Sequence, residues 1–142
     1  MAIGGREFKL NENYFPPCLR IDILSCSPDP KVKECHKVSG VLIDTGSDLT
    51  ILPNKIIKKL KLKMISIKEI ENFNGEIIEV KLYLANIVIN DIVQGLFEIG
   101  GVDSEALIGM DLIKDWHILI NCPNGTFEIA NNSNYKIPVS IK

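Results

Sequence analysis

Nothing in the 142 residues is long and apolar enough to span a membrane, and the N-terminus lacks the apolar stretch of a signal peptide. Arginine is scarce: Arg6 and Arg20 are the only two, and the net charge is -2. Such a chain projects no basic field, which argues against a nucleic-acid partner. The four cysteines, Cys18, Cys26, Cys35 and Cys122, show no CxxC spacing. Cys35-His36 has no second pair of ligands to converge with, so neither a metal nor any other cofactor is expected. Four reduced, mostly buried thiols are the default, although Cys26 and Cys35 flank one loop and would pair if oxidised. His117, beside Trp116, reads as a packing or surface residue. Without a targeting signal the expected location is cytoplasmic, with excision from a larger polyprotein or an anchored parent left open.

Alanine is rare as well, at 4 residues against 23 Ile and 8 Val. A core so rich in β-branched side chains suits pleated surfaces better than helices. The length fits one domain, and such a chain buries roughly two-thirds of its extended-state surface without needing a staple. Residues 1–17 are polar and end in Pro16-Pro17, so they read as an N-terminal arm or added remnant, leaving 18–142 as the domain.

Along that domain the signals are mostly those of strands. Leu19, Ile21 and Ile23 alternate with Arg20 and Asp22, and residues 25–37 carry the prolines and charges of a surface loop. Val41-Leu42-Ile43 predicts a short buried strand, as does Ala106-Leu107-Ile108-Gly109. Asn54 to Lys63 has helical spacing, with Ile56, Ile57 and Leu60 on one face and lysines on the other. Asn74-Gly75 and Asn124-Gly125 each separate two apolar runs and predict hairpins. Further strands are expected near 87–93 and 96–99, a polar loop from Gly100 to Glu105, and a short helix over 111–116. Many short strands with two small helices predict a closed or sandwiched β domain.

One segment does not fit the role of scaffold. Val41 to Pro53 reads VLIDTGSDLTILP, so a strand delivers Asp44 straight into a turn opened by Gly46. A carboxylate placed there is costly unless it accepts hydrogen bonds, which Thr45 and Ser47 could donate. The four letters DTGS arise by chance in about one or two chains per thousand of this length. The competing reading of Asp44 is a plain turn cap.

With these flanks the segment resembles the active-site loop of the aspartic proteases, and among them the retropepsins. A second family element, apolar pair, glycine, variable residue and acid or amide, appears as LIGMDLI at Leu107 to Ile113. The Asn74-Gly75 hairpin lies between the two, where the family places its mobile flap. The helix after Pro53 and the hairpin after Trp116 look more like cellular, bacterial or retrotransposon forms than the minimal viral ones. The resemblance implies an all-β, closed retropepsin-like barrel with a flap hairpin and one or two short helices.

DTG occurs once. Aspartic protease chemistry needs two carboxylates sharing a proton around one water, so a single motif implies a homodimer with one Asp44 from each copy. The resemblance further implies an endopeptidase acting on peptide or protein substrates without a cofactor. Asp44 would be catalytic, Thr45 would bond across the dimer axis, and Ser47 would bond its own Asp44. Gly46 and Asp48 would hold substrate backbone, Leu42 and Leu107 would line side-chain pockets, and Phe73, Asn74 and Gly75 would close over the peptide. Met110 stands where viral enzymes commonly carry an arginine that pairs with the acid at Asp48. Asp111 reads best as a loop brace. The alternative from another class is a catalytically silent dimerisation or peptide-binding module on the same fold.

Overall fold

In the computed structural model, which describes residues 2–11, 18–72 and 74–131, the β-branched excess goes into ten strands. They are β1 (Arg6–Lys9), β2 (Arg20–Cys26), β3 (Cys35–Ile43), β4 (Ile51–Pro53), β5 (Met64–Glu71) and β6 (Ile77–Ile89). After them come β7 (Val93–Val102), β8 (Leu107–Ile108), β9 (Trp116–Asn121) and β10 (Thr126–Asn131). Two short helices, α1 (Asn54–Lys59) and α2 (Met110–Ile113), follow β4 and β8. A seven-stranded sheet runs β2-β3-β8-β4-β7-β6-β5, and an additional β2–β6 pairing closes six of these strands into a ring. The remaining three form a sheet ordered β1-β10-β9. No helix among the described residues is long and apolar enough to cross a membrane.

Strand periodicity explains the main core. Ile21 and Ile23 of β2, Val41 and Ile43 of β3, and Ala85, Ile87 and Ile89 of β6 face inward and are buried. Leu52, Ile56, Ile57, Leu60, Ile99 and Ile108 complete the packing. The first half of β6 serves a different cluster: Val80 and Leu82 pack with Leu49, joined by Ile70 and Val102. The inward alternation therefore breaks after Leu82, and Leu84 is only half-buried.

Several expectations change. The polar N-terminal segment is not a loose arm where it is described, because Arg6–Lys9 pairs in register with Thr126–Ile129 of β10. Ile3 and Leu10 are buried, and the buried Glu128 carboxylate accepts N–H bonds from Ile3 at 2.8 Å and Gly5 at 2.7 Å. Phe8 stacks on Phe127 with ring centroids 5.3 Å apart. Strand content was hidden there because three of the four β1 residues are charged, as edge strands often are.

The strand placed over 87–93 is instead interrupted by a turn, with Asn90 at φ 47° and the Ile92 N–H bonded to Ile89 O at 2.9 Å. Gly100 and Gly101 lie inside β7, not in a loop. A Cβ on Gly100 would sit 2.8 Å from Leu49 Cδ2, and one on Gly101 would sit 2.5 Å from Ile57 Cδ1. These glycines make room for neighbours. Both helices are shorter than their sequence spacing suggested, and Trp116 belongs to β9.

The thiol expectation is also corrected. Cys26 and Cys35 form a disulfide on the end rung of the β2–β3 ladder, with Cα atoms 4.0 Å apart. The connecting loop is thus narrower than 25–37. Cys18 is half-buried and Cys122 exposed.

Candidate active site

The site is built where two short strands lie side by side. β3 and β8 are parallel, with Leu42 opposite Leu107 and Ile43 opposite Ile108. Each then turns into a loop, and the two loops are bonded to each other. The Asp44 N–H donates to Ile108 O at 2.9 Å, the Met110 N–H to Ser47 O at 2.7 Å, and the Asp111 N–H to Asp48 O at 3.3 Å. Leu42 and Leu107 are half-buried neighbours beside this junction.

Asp44 directly follows β3 and remains partly accessible, while Thr45, Gly46 and Asp48 are exposed in the single chain. Its carboxylate Oδ1 accepts the Gly46 N–H at 2.9 Å, and the Ser47 N–H closes the turn onto Asp44 O at 3.2 Å. The carboxylate is thereby held by backbone. Ser47 departs from its expected role: its hydroxyl donates to Leu49 O at 2.8 Å and does not bond Asp44. The reason is local, because the turn carries the chain past Ser47 and brings the Leu49 carbonyl within reach.

Below this turn lies a brace that sequence reasoning only half found. Thr50 is fully buried. Its hydroxyl donates to Asp111 Oδ1 at 2.7 Å and accepts the Gly109 N–H at 3.1 Å. Its N–H donates to Asp111 Oδ2 at 3.1 Å, and its carbonyl accepts the Gly100 N–H at 2.9 Å. Asp111 also accepts the Leu112 N–H at 3.0 Å. Asp111 is thus a loop brace, as expected. Thr50 is the missed partner; the signal available was a hydroxyl residue six positions after Asp44, directly before an apolar strand.

Arg20 donates to Gly40 O at 2.8 Å and pairs with Glu105. No group of three or more His, Cys, Asp or Glu side chains gathers among the described residues in a way that could hold a metal ion.

β5 and β6 form a long hairpin whose turn holds Asn74 and Gly75. The Gly75 N–H donates to Asn72 O at 3.0 Å, the Asn72 side chain accepts the Asn74 N–H at 3.0 Å, and Gly75 has φ 80°. Asn74 and Gly75 are exposed, and Phe73 lies outside the described residues. At its root the hairpin is tied to the site: Val80 and Leu82 pack on Leu49, the residue after Asp48.

No protein-family model matches the chain. No curated protein matches it either. Solved structures do. A retropepsin-like aspartic protease from Rickettsia conorii aligns with a TM-score of 0.54 at 15% identity, over 92% of this chain and 95% of that one. The EIAV protease, in complex with the inhibitor HBY-793, aligns with a TM-score of 0.50 at 18% identity, over 69% of this chain and 86% of that one. The fold is retropepsin-like. Within this retropepsin-like frame the DTGS loop, the LIGMDLI loop and the β5–β6 hairpin occur in one chain, with one Asp44 between them.

Proposed function

We propose that the chain is an aspartic endopeptidase that works as a homodimer, hydrolysing peptide bonds with water activated between two Asp44 carboxylates. The observation that carries this reading is the Asp44 turn itself. A strand-end carboxylate is fixed by the Gly46 N–H on a loop that a second loop bonds from below. In this reading the bond that caps the turn also preorganises the carboxylate as an acid–base group. One carboxylate takes a proton from water as the water attacks the scissile carbonyl. Its protonated counterpart donates to the carbonyl oxygen, giving a tetrahedral diol. A lone acid cannot hold both roles, so the reading requires two copies.

In this reading Thr45, exposed in the single chain, meets its counterpart across the axis. Gly46 and Asp48 hold substrate backbone, and Leu42 and Leu107 contact its side chains. The β5–β6 hairpin acts as the flap, its tip at Asn74 and Gly75 covering the peptide and excluding water.

Incubating the chain and its Asp44→Asn variant with a peptide library tests this. Asn keeps the acceptor of the Gly46 bond but cannot serve as the base. Cleavage falls at least about 1,000-fold while circular dichroism and the unfolding midpoint stay unchanged. Cleavage that survives the substitution overturns the mechanism. A wild-type chain that dimerises yet cleaves nothing favours the silent binding module.

A further inference from the structure

β6 is held differently along its length. From Lys81 to Ile89 it pairs with β7, whereas Ile77 to Val80 pair with β5 alone. The hairpin therefore leaves the body of the sheet at Lys81, opposite Gly101. A cavity of about 510 Å³ lies at this point, with α1 on one side and β6 and β7 on the other.

Strand alternation puts the cavity on the far side of the hairpin from the candidate site. Val80 and Leu82 pack toward Leu49, so Glu79, Lys81 and Tyr83 face the other way and line the cavity. Ile57 and Lys58 of α1 form the opposite wall. Ile57 and Tyr83 close over Gly101, where a Cβ would sit 2.9 Å from Tyr83 Cε2, and together they give the cavity an apolar floor.

The rim carries both signs of charge. Lys58 and Lys81 bring ammonium groups, and Glu79 and Asp103 bring carboxylates. Asp103 accepts a hydrogen bond from Asn54 Nδ2 at 2.8 Å. Among the described residues Lys58, Glu79 and Lys81 form no ion pair. Glu79 also lies directly opposite Glu69 of β5, an unfavourable cross-strand pair of like charges. A ligand of one charge would meet two groups of its own sign here, whereas a ligand with both charges meets each with its opposite. Spacing sets its length. Glu79 and Lys81 are two residues apart on one strand, roughly 6.6 Å, and the ends of a dipeptide are at most roughly 7 Å apart.

We propose that this cavity binds a dipeptide with free termini and an apolar side chain. Its ammonium group sits by Glu79 and Glu69, its carboxylate between Lys58 and Lys81, and its side chain on Ile57 and Tyr83. The bound peptide also braces the hairpin. A cover that swings away from Leu49 carries Glu79 and Lys81 toward α1, into the space that the peptide fills. Occupancy therefore keeps the hairpin closed. The binding does not depend on the proposed activity; the consequence for cleavage, slower entry of substrate, rests on it.

Calorimetric titration of the unmodified chain with the dipeptide Leu-Phe tests the site, with N-acetyl-Leu-Phe-amide as the uncharged control. Leu-Phe binds and the capped form does not. Lys81→Glu and Lys58→Glu each raise the dissociation constant about tenfold or more, with circular dichroism unchanged. Lys58 is outside the hairpin, so its effect does not come from altered hairpin pairing. Hydrogen exchange tests the brace. At about four times its dissociation constant, a ligand that only the closed hairpin binds slows exchange of the amides in 66–71 and 77–80 about fivefold. Equal binding of the capped peptide overturns the proposal, as does the absence of binding by Leu-Phe or a charge-reversed variant that binds as the unmodified chain does. Hairpin amides that exchange at one rate with and without bound peptide overturn the brace. A chain that binds Leu-Phe in this way and cleaves no peptide refutes the proposed activity and leaves the site standing.

Discussion

The floor of the candidate site and the hairpin above it are built on opposite principles. In the floor the polar groups are densely bonded: Thr50, Gly109 and Asp111 exchange three hydrogen bonds, Asp111 accepts a fourth from the Leu112 N–H, and three more backbone bonds tie the Asp44 and Met110 loops together. In the β5–β6 hairpin every β5 residue but Ile70 is exposed, and Ile77 is 70% exposed. Its outer half packs through Ile70, Val80 and Leu82 against Leu49 and Val102. The proposed hydrolysis would use both kinds of structure. A catalytic carboxylate is effective when its surroundings do not reorganise, whereas a cover must open for substrate and product. The expectation is that the floor unfolds only with the whole domain, while the hairpin opens on its own at a lower free energy.

The largest expected effect comes from Gly109→Ala. A Cβ at this position would lie 2.6 to 2.8 Å from the backbone atoms of Leu49, and backbone cannot rotate aside as a side chain can. The two loops must separate, at a cost of about 3 kcal/mol or more. Chemical denaturation reads this as a lowered midpoint with an unchanged slope. A shift under about 1 kcal/mol would show that the floor is softer than its bonding suggests. Next is Asp111→Ala, which strands the buried Thr50 hydroxyl and N–H and costs about 2 kcal/mol. Asp111→Asn keeps one acceptor oxygen and loses about half as much. Equal losses for the two variants would mean that the brace works by packing rather than by hydrogen bonding.

The difference between the two regions also explains what the sequence revealed. The hairpin was legible because its signals are local: Asn74-Gly75 defines the turn, and alternation over Ile78, Val80 and Leu82 defines the strand. The Asp44 loop was legible because a carboxylate directly after three apolar residues is chemically expensive. The brace was only partly legible. Asp111 and Thr50 are 61 positions apart, and nothing local to Thr50 distinguishes a hydroxyl that bridges two loops from one that faces water. Ser47 misled because the turn brings the Leu49 carbonyl, and not the Asp44 carboxylate, to its hydroxyl. Charge concealed β1, whose pairing partner comes from the far end of the chain. Asn90 turned the chain without a glycine beside it. Cys26 and Cys35 gave a spacing compatible with either state, and only the strand register set them face to face.

The smallest effect, and the sharpest test of the contrast, is Gly75→Ala at the hairpin tip. Gly75 has φ 80° with open space around it, its nearest neighbour to a new Cβ being Glu71 Oε1 at 3.8 Å. Alanine therefore meets no clash, only the strain of a left-handed backbone, about 1 kcal/mol. If the hairpin opens independently, that strain is expressed locally. Amides of β5 and the first half of β6 then exchange about fivefold faster, while the global denaturation midpoint stays where it was. If the hairpin instead unfolds only with the floor, the same 1 kcal/mol appears in the global midpoint and exchange accelerates throughout the ring. The second result would make cover and floor one cooperative unit, and substrate entry would then require a route other than a hinged hairpin.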